Sequence, residues 1–508
     1  MRHLRWWHAG SVFLICLLCM ESMAFASGKW TDMIDFSGYI QSDIRYIIED
    51  WRGAKKGDGY EFQKNQNDVV LRLEIFPHDN VQAVIEADLR FYGFNRADSL
   101  YNVSDRGTSD PFNLQLDEAY IHVRELFWEW LDLRAGRMVV NWGTVDQFNP
   151  TDNISARDFS DPINFSAKVP NQMIELTAYP TDWLTLSLIW VPTFRPAQLP
   201  DSAPLGFADF GFDKNGCFAT APAPPLTQKN MDDLYKLFES AGDPCNLNFV
   251  EPGMPIVTPD FSMKNSQFGA KAQFLINDFE FSFSYYYGRF SFPVALTAAA
   301  LIENSQVDPA VLDIKYIVEL YYPRMQVAGF DFSYSAEWLF DIGIVGEIAV
   351  IFPEQVDFGL KAYWSGAEVA NMGNNNVPST PFPKATVGID YTFTSWLYMN
   401  VMYVRGFFDE FNDIYGVHNY MVMAAELKFF EDELKVRTAA ALNVDDTSAN
   451  INGTVTWIIY PSVEVIADVL WFVGNTEAKD PKDYASKSKF GMRAVGRNVV
   501  SLKGKFSW

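Results

Sequence analysis

Phe279-Glu280-Phe281-Ser282-Phe283-Ser284-Tyr285-Tyr286-Tyr287 puts a large aromatic on every odd position and, up to Ser284, an acidic or small polar residue on every even one. A period of two is that of a strand with one apolar and one polar face, not of a helix. The same alternation runs through Lys384 to Phe393, where Ala385, Val387, Ile389, Tyr391 and Phe393 share a face. It returns in Val463, Val465, Ala467, Val469 and Trp471. A strand of about ten residues, apolar on alternate positions, is long enough to cross a bilayer when tilted.

Working outward from these strands, tight connections fall near 77–80, 125–130, 180–182, 277–278, 335–337, 394–395, 431–432 and 461. Longer segments rich in Gly, Asn, Asp and Pro separate them. Short turns alternating with long loops are the wiring of an up-and-down transmembrane β-barrel, with the turns periplasmic and the loops outside. Eight short turns and nine long loops predict 18 antiparallel strands, with 16 left open by uncertain strand ends. Phe76, Trp128 with Trp130, Tyr179 with Trp183, Phe279, Trp338, Trp396, Phe430 and Tyr460 each flank a short turn. A ring of such side chains at one interface would form an aromatic girdle. A secreted all-β protein with core aromatics is the alternative, but it does not explain why one face of nearly every hairpin stays apolar.

The ends agree with export. Arg2 and Arg5 precede the apolar run Val12 to Met20, and Ala24-Phe25-Ala26 supplies a small-x-small cleavage site, so residues 1–26 read as a signal peptide. The chain then ends on an alternating strand, with Val500, Leu502, Phe506 and Trp508 on one face and Ser501, Lys503, Lys505 and Ser507 on the other. That ending resembles the assembly signal of bacterial outer-membrane barrels. The expected organisation is a single barrel domain over 27–508 in the outer membrane of a Gram-negative cell, in contact with its lipid.

The 508 residues carry 64 Asp and Glu against 40 Lys and Arg, a formal charge of −24 that becomes −25 once Arg2, Arg5 and Glu21 leave with the signal. No basic footprint is present, which excludes a nucleic-acid partner. With 16% aromatics and 20% charged residues the chain is not a disordered one.

Alternation also assigns an inward face: Arg72 and Glu74; Gln82, Glu86, Asp88 and Arg90; Glu118, Tyr120, His122 and Arg124; Asp132 and Arg134; Glu175; and, further round, Lys271, Asp331, Glu347, Asp390, Glu426, Lys435 and Arg437. An Arg or Lys facing lipid at midplane costs about 2–4 kcal/mol. These groups therefore face a polar interior, and about 18 strands enclose one too wide for side chains to fill.

The segment from Asn141 to Lys168 is rich in turn formers. If 141–170 folds inward as a constriction, Asp146, Asp152, Asp158 and Asp161 would face Arg72, Arg90, Arg124 and Arg134. Opposed charges there would set up a transverse field that sorts polar solutes. A surface loop with capped turns remains the alternative. Of four cysteines, Cys16 and Cys19 leave with the signal, while Cys217 and Cys245 lie in the long external loop 195–264, where a disulfide is expected.

Gly136-Arg137, Trp142-Gly143 and Asn149-Pro150-Thr151-Asp152 resemble the fifth-strand and loop pattern of porin-like outer-membrane families of unassigned function. Tyr322-Pro323-Arg324, Gly329, Gly346-Glu347 and Ala349 resemble a second landmark of the same group, and alginate-export-type channels share some of these features. The resemblance covers about 130–350 and implies passage or export of hydrophilic or lipid-like molecules. Arg137 breaks the inward phase of Asp132 and Arg134, so a bulge that re-aims it is expected.

No enzyme motif accompanies His78, His122 and His418, the histidines left after the signal, and no cofactor motif is present. Asp409, Glu410, Asn412 and Asp413 lack the spacing of a calcium loop and read as a solvated acidic loop. The sequence favours a channel for passive passage of small hydrophilic solutes. The alternatives are a conduit for polysaccharide or lipid coupled to an inner-membrane exporter, and a scaffold displaying its loops. A homo-oligomer is compatible with each.

Overall fold

The computed structural model describes residues 33–48, 61–97, 99, 102–161, 163–164, 167–199, 229, 233, 236, 247–253, 256–304, 312–364, 366–411, 416–474, 490 and 498–508. The signal segment, Cys217, Cys245 with the disulfide expected between them, and much of 195–264 lie outside these residues.

The strands in chain order are β1 (Ile34–Ile48), β2 (Glu61–His78), β3 (Val81–Tyr92), β4 (Phe112–Val123), β5 (Leu131–Met138), β6 (Asn171–Thr181), β7 (Leu184–Val191), β8 (Leu247–Gly253) and β9 (Ile256–Val257). They continue with β10 (Gln267–Ile276), β11 (Phe279–Arg289), β12 (Val294–Asn304), β13 (Leu312–Tyr321), β14 (Arg324–Ala336), β15 (Ile342–Pro353), β16 (Val356–Trp364) and β17 (Ala367–Val377). The last are β18 (Phe382–Thr394), β19 (Leu397–Arg405), β20 (Asn419–Phe429), β21 (Leu434–Asn443), β22 (Ala449–Tyr460), β23 (Val463–Val473) and β24 (Asn498–Ser507).

Eighteen of them form one sheet, in which each strand pairs antiparallel with the next wall strand along the chain. β24 pairs back onto β1, from Tyr39 opposite Ser507 to Ile48 opposite Asn498, and closes the sheet into a barrel. Closure leaves no strand edge with unpaired backbone groups against lipid, the condition for a β wall in a bilayer. The eight short turns expected from the sequence each join two wall strands, and the strand count is the expected 18.

The pleat delivers the two faces as the alternation requires. Leu71, Ile85, Leu114, Ile121, Leu188, Phe283, Val387, Met423 and Leu502 are exposed on the outside of the wall. At the short-turn end Trp128 and Trp130 stack at 5.3 Å, and Phe127, Trp183, Trp338, Phe340, Trp396, Phe430 and Tyr460 are exposed around the rim. Among the described residues no helix is long and apolar enough to cross a membrane, so crossing falls to the strands.

The bulge expected to re-aim Arg137 is not in its own strand, since β5 pairs in unbroken register on both sides; it lies in β4 instead. Between β3 and β4 the register shifts after Glu86–Glu118, so that Asp117 is the extra residue. Arg137 donates from Nε to the carbonyls of Leu116 (2.6 Å) and Asp117 (3.0 Å), which the bulge leaves available.

A second sheet has no counterpart in the sequence reading. β8, β9, β12, β13, β16 and β17 come from three successive long loops and join in the order β17-β16-β12-β13-β8, with β9 also beside β13. Two hairpins, β12–β13 and β16–β17, are antiparallel, but the loops are stitched together by parallel pairings, β12 with β16 and β13 with β8.

Candidate functional site: the lumen and the loop inside it

Inside the wall two kinds of lining meet. Across β2 to β6 the inward groups form a ladder of ion pairs. Arg72 reaches Glu74 (2.7 Å), Glu86 (2.8 Å) and Glu118 (3.1 Å), and Gln82 donates to Glu74 at 2.7 Å. Arg90 pairs with Asp88 at 2.6 Å and Arg134 with Glu175, and His122 Nε2 lies 3.4 Å from Asp132. Each contact but one joins residues on the same or neighbouring strands, the cross-strand spacing at which opposite charges meet; Arg72 to Glu118 reaches across β3.

The other lining is apolar. Met402, Val404, Tyr420, Val422, Leu470 and Phe472 are buried at the long-loop ends of β19, β20 and β23. They pack in one cluster with Phe148 and Phe159 of the 139–170 segment, Phe290 and Phe292 after β11, and Phe407 and Phe411 after β19. Phe290 and Phe411 stack at 4.2 Å, and Phe148 stacks on Phe408 at 5.2 Å. This buried cluster thus lies within the barrel rather than between layers.

Residues 139–170 connect these linings. After Met138 the chain turns in from the wall, with Val140, Trp142, Val145, Phe148 and Ile154 buried in the cluster. Glu347 of β15, 4% exposed, accepts hydrogen bonds from the Thr144 and Val145 N–H groups (2.8 Å each), from Thr151 Oγ1 (2.7 Å) and from Asn149 Nδ2 (3.2 Å). Gly143 has φ +90°, and a Cβ there would stand 2.3 Å from the Glu347 carboxylate. Gly329 leaves similar room for Thr151. The two sequence landmarks, one in the loop and one around 322–349, are therefore the two halves of a single contact.

Further round the ring, Thr386 Oγ1 of β18 donates to Phe148 O at 2.7 Å and Asn452 Nδ2 of β22 to Ile163 O at 3.5 Å. Arg45 of β1 grips Asp161 with both terminal nitrogens at 2.5 Å, while its other face holds Asp43 at 2.7 Å. Within the segment, Lys168 is paired with Asp152 and Val140 N–H donates to Ser155 Oγ at 3.0 Å. Burial would raise the Asp161 carboxyl, but the hydrogen bond and charge of Arg45 outweigh it and hold Asp161 well below the usual carboxylate range. Burial lowers the Lys168 ammonium, and Asp152 opposes that shift.

The candidate residues sort accordingly. Asp152 and Asp161 are bonded within the barrel, to Lys168 and Arg45. Asp158 accepts from the Ser160 N–H at 2.8 Å and bridges backbone with Gln198. Asp146 is exposed and lines a cavity with Tyr398, Asn400 and Arg437. Arg72, Arg90 and Arg134 are engaged by wall carboxylates, so the loop aspartates do not meet them as the alternation had implied. Arg124 lies beyond the end of β4 at the short-turn rim, its N–H 2.8 Å from Asn80 O. Arg45 and Glu347 are charged wall residues that do hold the loop, alongside Thr386 and Asn452. Glu347 stood on the inward face by alternation, and Arg45 by the same parity as Asp43, but neither carried a sign of what it would hold.

Glu410 is a structural acceptor: it takes the N–H groups of Phe407 (2.8 Å) and His418 (3.1 Å) and the hydroxyl of Tyr420. Asn412 and Asp413 lie outside the described residues, among which no cluster of metal-ligating side chains occurs.

A model of a protein family of unknown function, DUF1302, matches residues 49–497. The chain belongs to the DUF1302 family. No curated protein matches it. Among solved structures this DUF1302 chain is similar to Acinetobacter baumannii OccAB3, at 11% identity and a TM-score of 0.44, covering 93% of this chain and 99% of that one. Pseudomonas aeruginosa OccK9 (OpdG) gives 9% and 0.45 over 95% and 99%, and Salmonella typhi OmpF in complex with daunomycin 8% and 0.36 over 94% and 97%. The architecture of the DUF1302 chain rests on its own strand pairing: a closed barrel of 18 strands with an apolar exterior is an outer-membrane β-barrel.

Proposed function

We propose that the chain is a porin-like channel through which small hydrophilic solutes pass passively, with 141–170 as its constriction. The observation that carries this reading is the course of that segment, tied across the interior to β15, β18, β22 and β1 while an ion-pair ladder lines β2 to β6. A water-filled interior is what an 18-strand ring encloses, and a tethered inward loop limits what passes. Because the ladder mixes both signs, selectivity between cations and anions comes from the few charges at the loop, Asp146, Asp152, Asp158 and Asp161, rather than from the wall. The chemistry is transport, with no catalytic step assigned.

A second reading, a conduit that delivers a lipid outward from an inner-membrane exporter, is favoured by the aromatic cluster inside the barrel, a lining that purely hydrophilic traffic does not need. Single-channel conductance of the mature protein in a planar bilayer under a salt gradient separates the two. Stable steps whose reversal potential moves with Asp146→Asn support the passive channel. A silent barrel overturns it in favour of the conduit or of a loop-displaying scaffold.

A further inference from the structure

Arg137 takes no part in the lumen. β5 keeps its register on both sides and Met138 is buried inward, so Arg137 falls on the outer face, beside the exposed Gln172 of β6. An arginine turned toward lipid is costly at midplane and tolerated toward the interface. At about 3.3 Å per residue and a tilt of about 40°, its Cα stands about 15 Å above Leu131 in an apolar band about 25 Å tall. The guanidinium reaches further toward the long-loop end, since Nε bonds the carbonyls of Leu116 and Asp117 whereas the backbone partner is Ala119. The side chain thus extends to the external interface.

A second cation stands beside it. Asn171 Nδ2 donates to Thr193 O at 2.8 Å, which ties the segment after β7 to the top of β6 and brings Arg195 near enough to Arg137 for the two charges to repel. Arg195 is exposed and makes no hydrogen bond or ion pair among the described residues. Arg137 is bonded only through Nε, so both its Nη groups lack an acceptor among the described residues; Asp117 attracts it without forming an ion pair. Two like charges with open donors fit an anion, and arginine forks grip phosphate in bidentate fashion.

Below these cations, toward the short-turn end, β6, β7, β10 and β11 enclose a trough of about 350 Å³ in the lipid-facing wall. Its floor is Ala270, which pairs with Leu188 on one side and Tyr285 on the other, so a small residue lies between two large ones. Ile174, Trp190 and Phe268 form the row above, and Ile174 is two residues from Gln172 on the same face. A cavity of about 150 Å³ already holds benzene, so this one takes a length of acyl chain. Open cations above an apolar trough match a lipid rather than a free anion. We propose that this face binds one phosphorylated glycolipid of the outer leaflet, of the lipid A kind, with a phosphate on Arg137 and Arg195 and an acyl chain along Ala270. The site lies outside the barrel and does not depend on what crosses the lumen.

The test uses the purified, folded barrel in detergent and three probes: diphosphoryl lipid A, the same lipid A stripped of its phosphates, and inorganic phosphate. Native mass spectrometry counts the lipid retained on each barrel, and titration of lipid A gives its affinity. One lipid A is expected to be retained, with the stripped form weaker and phosphate displacing nothing at equal concentration. Arg137→Gln combined with Arg195→Gln should weaken lipid A about tenfold, the equivalent of about 1.4 kcal/mol. Ala270→Trp, which fills the trough and leaves both charges, should weaken it as well. Arg96→Gln, at a long-loop cation stacked on Tyr92, should not. Heat-modified gel migration certifies that each variant is folded; should Arg137→Gln fail there, Arg195→Gln alone, which breaks no bond among the described residues, carries the same comparison.

Equal retention of the two lipid forms, unchanged affinity in the arginine variants, or an equal loss in Arg96→Gln would each overturn the site. Displacement of lipid A by inorganic phosphate would overturn it too, leaving an anion site in its place. An unaffected Ala270→Trp overturns the seating of the acyl chain. A conducting barrel that retains no lipid A removes the site and leaves the channel, and a silent barrel that retains it through Arg137 and Arg195 does the reverse.

Discussion

The interior of this barrel is built on opposite principles on its two sides. Along β2 to β6, charge answers charge: Arg72 alone is shared among Glu74, Glu86 and Glu118, and the groups remain about a fifth to a third exposed. Along the long-loop ends of β19 to β23 the wall turns Met402, Val404, Tyr420, Val422, Leu470 and Phe472 inward, and loops carrying phenylalanines cover them. A charged wall can stand bare because water satisfies what the ion pairs leave over. An apolar wall cannot, and it recruits chain from inside the barrel to bury it. The 139–170 segment therefore owes its position to the apolar side at least as much as to the acidic residues that drew attention to it.

That contrast can be broken in stages. The largest effect is expected from Phe148→Ala, which removes a ring packed against both Phe407 and Phe408. Large-to-small changes of this kind cost about 3–5 kcal/mol. The variant should show a lower urea midpoint and a larger single-channel step; an unchanged step would mean that the apolar side does not hold the loop. Glu347→Gln comes next. It keeps the shape but removes the charge that gathers the Thr144 and Val145 N–H groups, at a cost of about 1–3 kcal/mol for hydrogen bonds to a charged acceptor. Noisier openings at constant mean conductance are expected, and a quiet trace would relieve Glu347 of that role.

Asp161→Asn should shift the reversal potential toward anions, since Arg45 then loses half its compensation. In the unmutated protein Asp161 is held below its ordinary range, so its contribution is fully present above about pH 4, the normal value for an aspartate, and is lost only as the pH falls further toward the depressed value. Selectivity attributable to Asp161 should accordingly be flat from neutral pH down to about 4; a transition near pH 5 would contradict the Arg45 grip. Arg72→Gln is the mildest. Its partners are partly solvated, so the stability change should stay below about 1 kcal/mol, with selectivity moving slightly toward cations.

The wall was legible in the sequence because everything that specifies it is local. Phe279 to Tyr287 alternates within its own length, and the turn at 277–278 needs no distant partner to be recognised. The loop's partners were not legible for the converse reason. Asp161 meets Arg45, 116 residues away, and Glu347 meets Thr144 across some two hundred. Alternation can say that a residue faces inward, but the position round the ring and the height along the strand decide which inward groups touch. Arg124 shows the same gap: its phase was right for the lumen, yet its height puts it at the rim. The strands β12, β13, β16 and β17 went unseen because residues such as Ala298-Ala299-Ala300 carry little contrast between faces.

The sheet made from three long loops has a consequence for how such a protein can change. Because β13 draws partners from one neighbouring loop and β12 from another, no one of the three can be lengthened, trimmed or exchanged without unpairing its neighbours. Hairpins of the wall can form as soon as both strands exist, whereas this platform can knit only after segments of three separate loops have been brought side by side. The outward face of the molecule should thus diversify as a block, inherited or replaced whole, while the turns at the opposite rim drift one at a time.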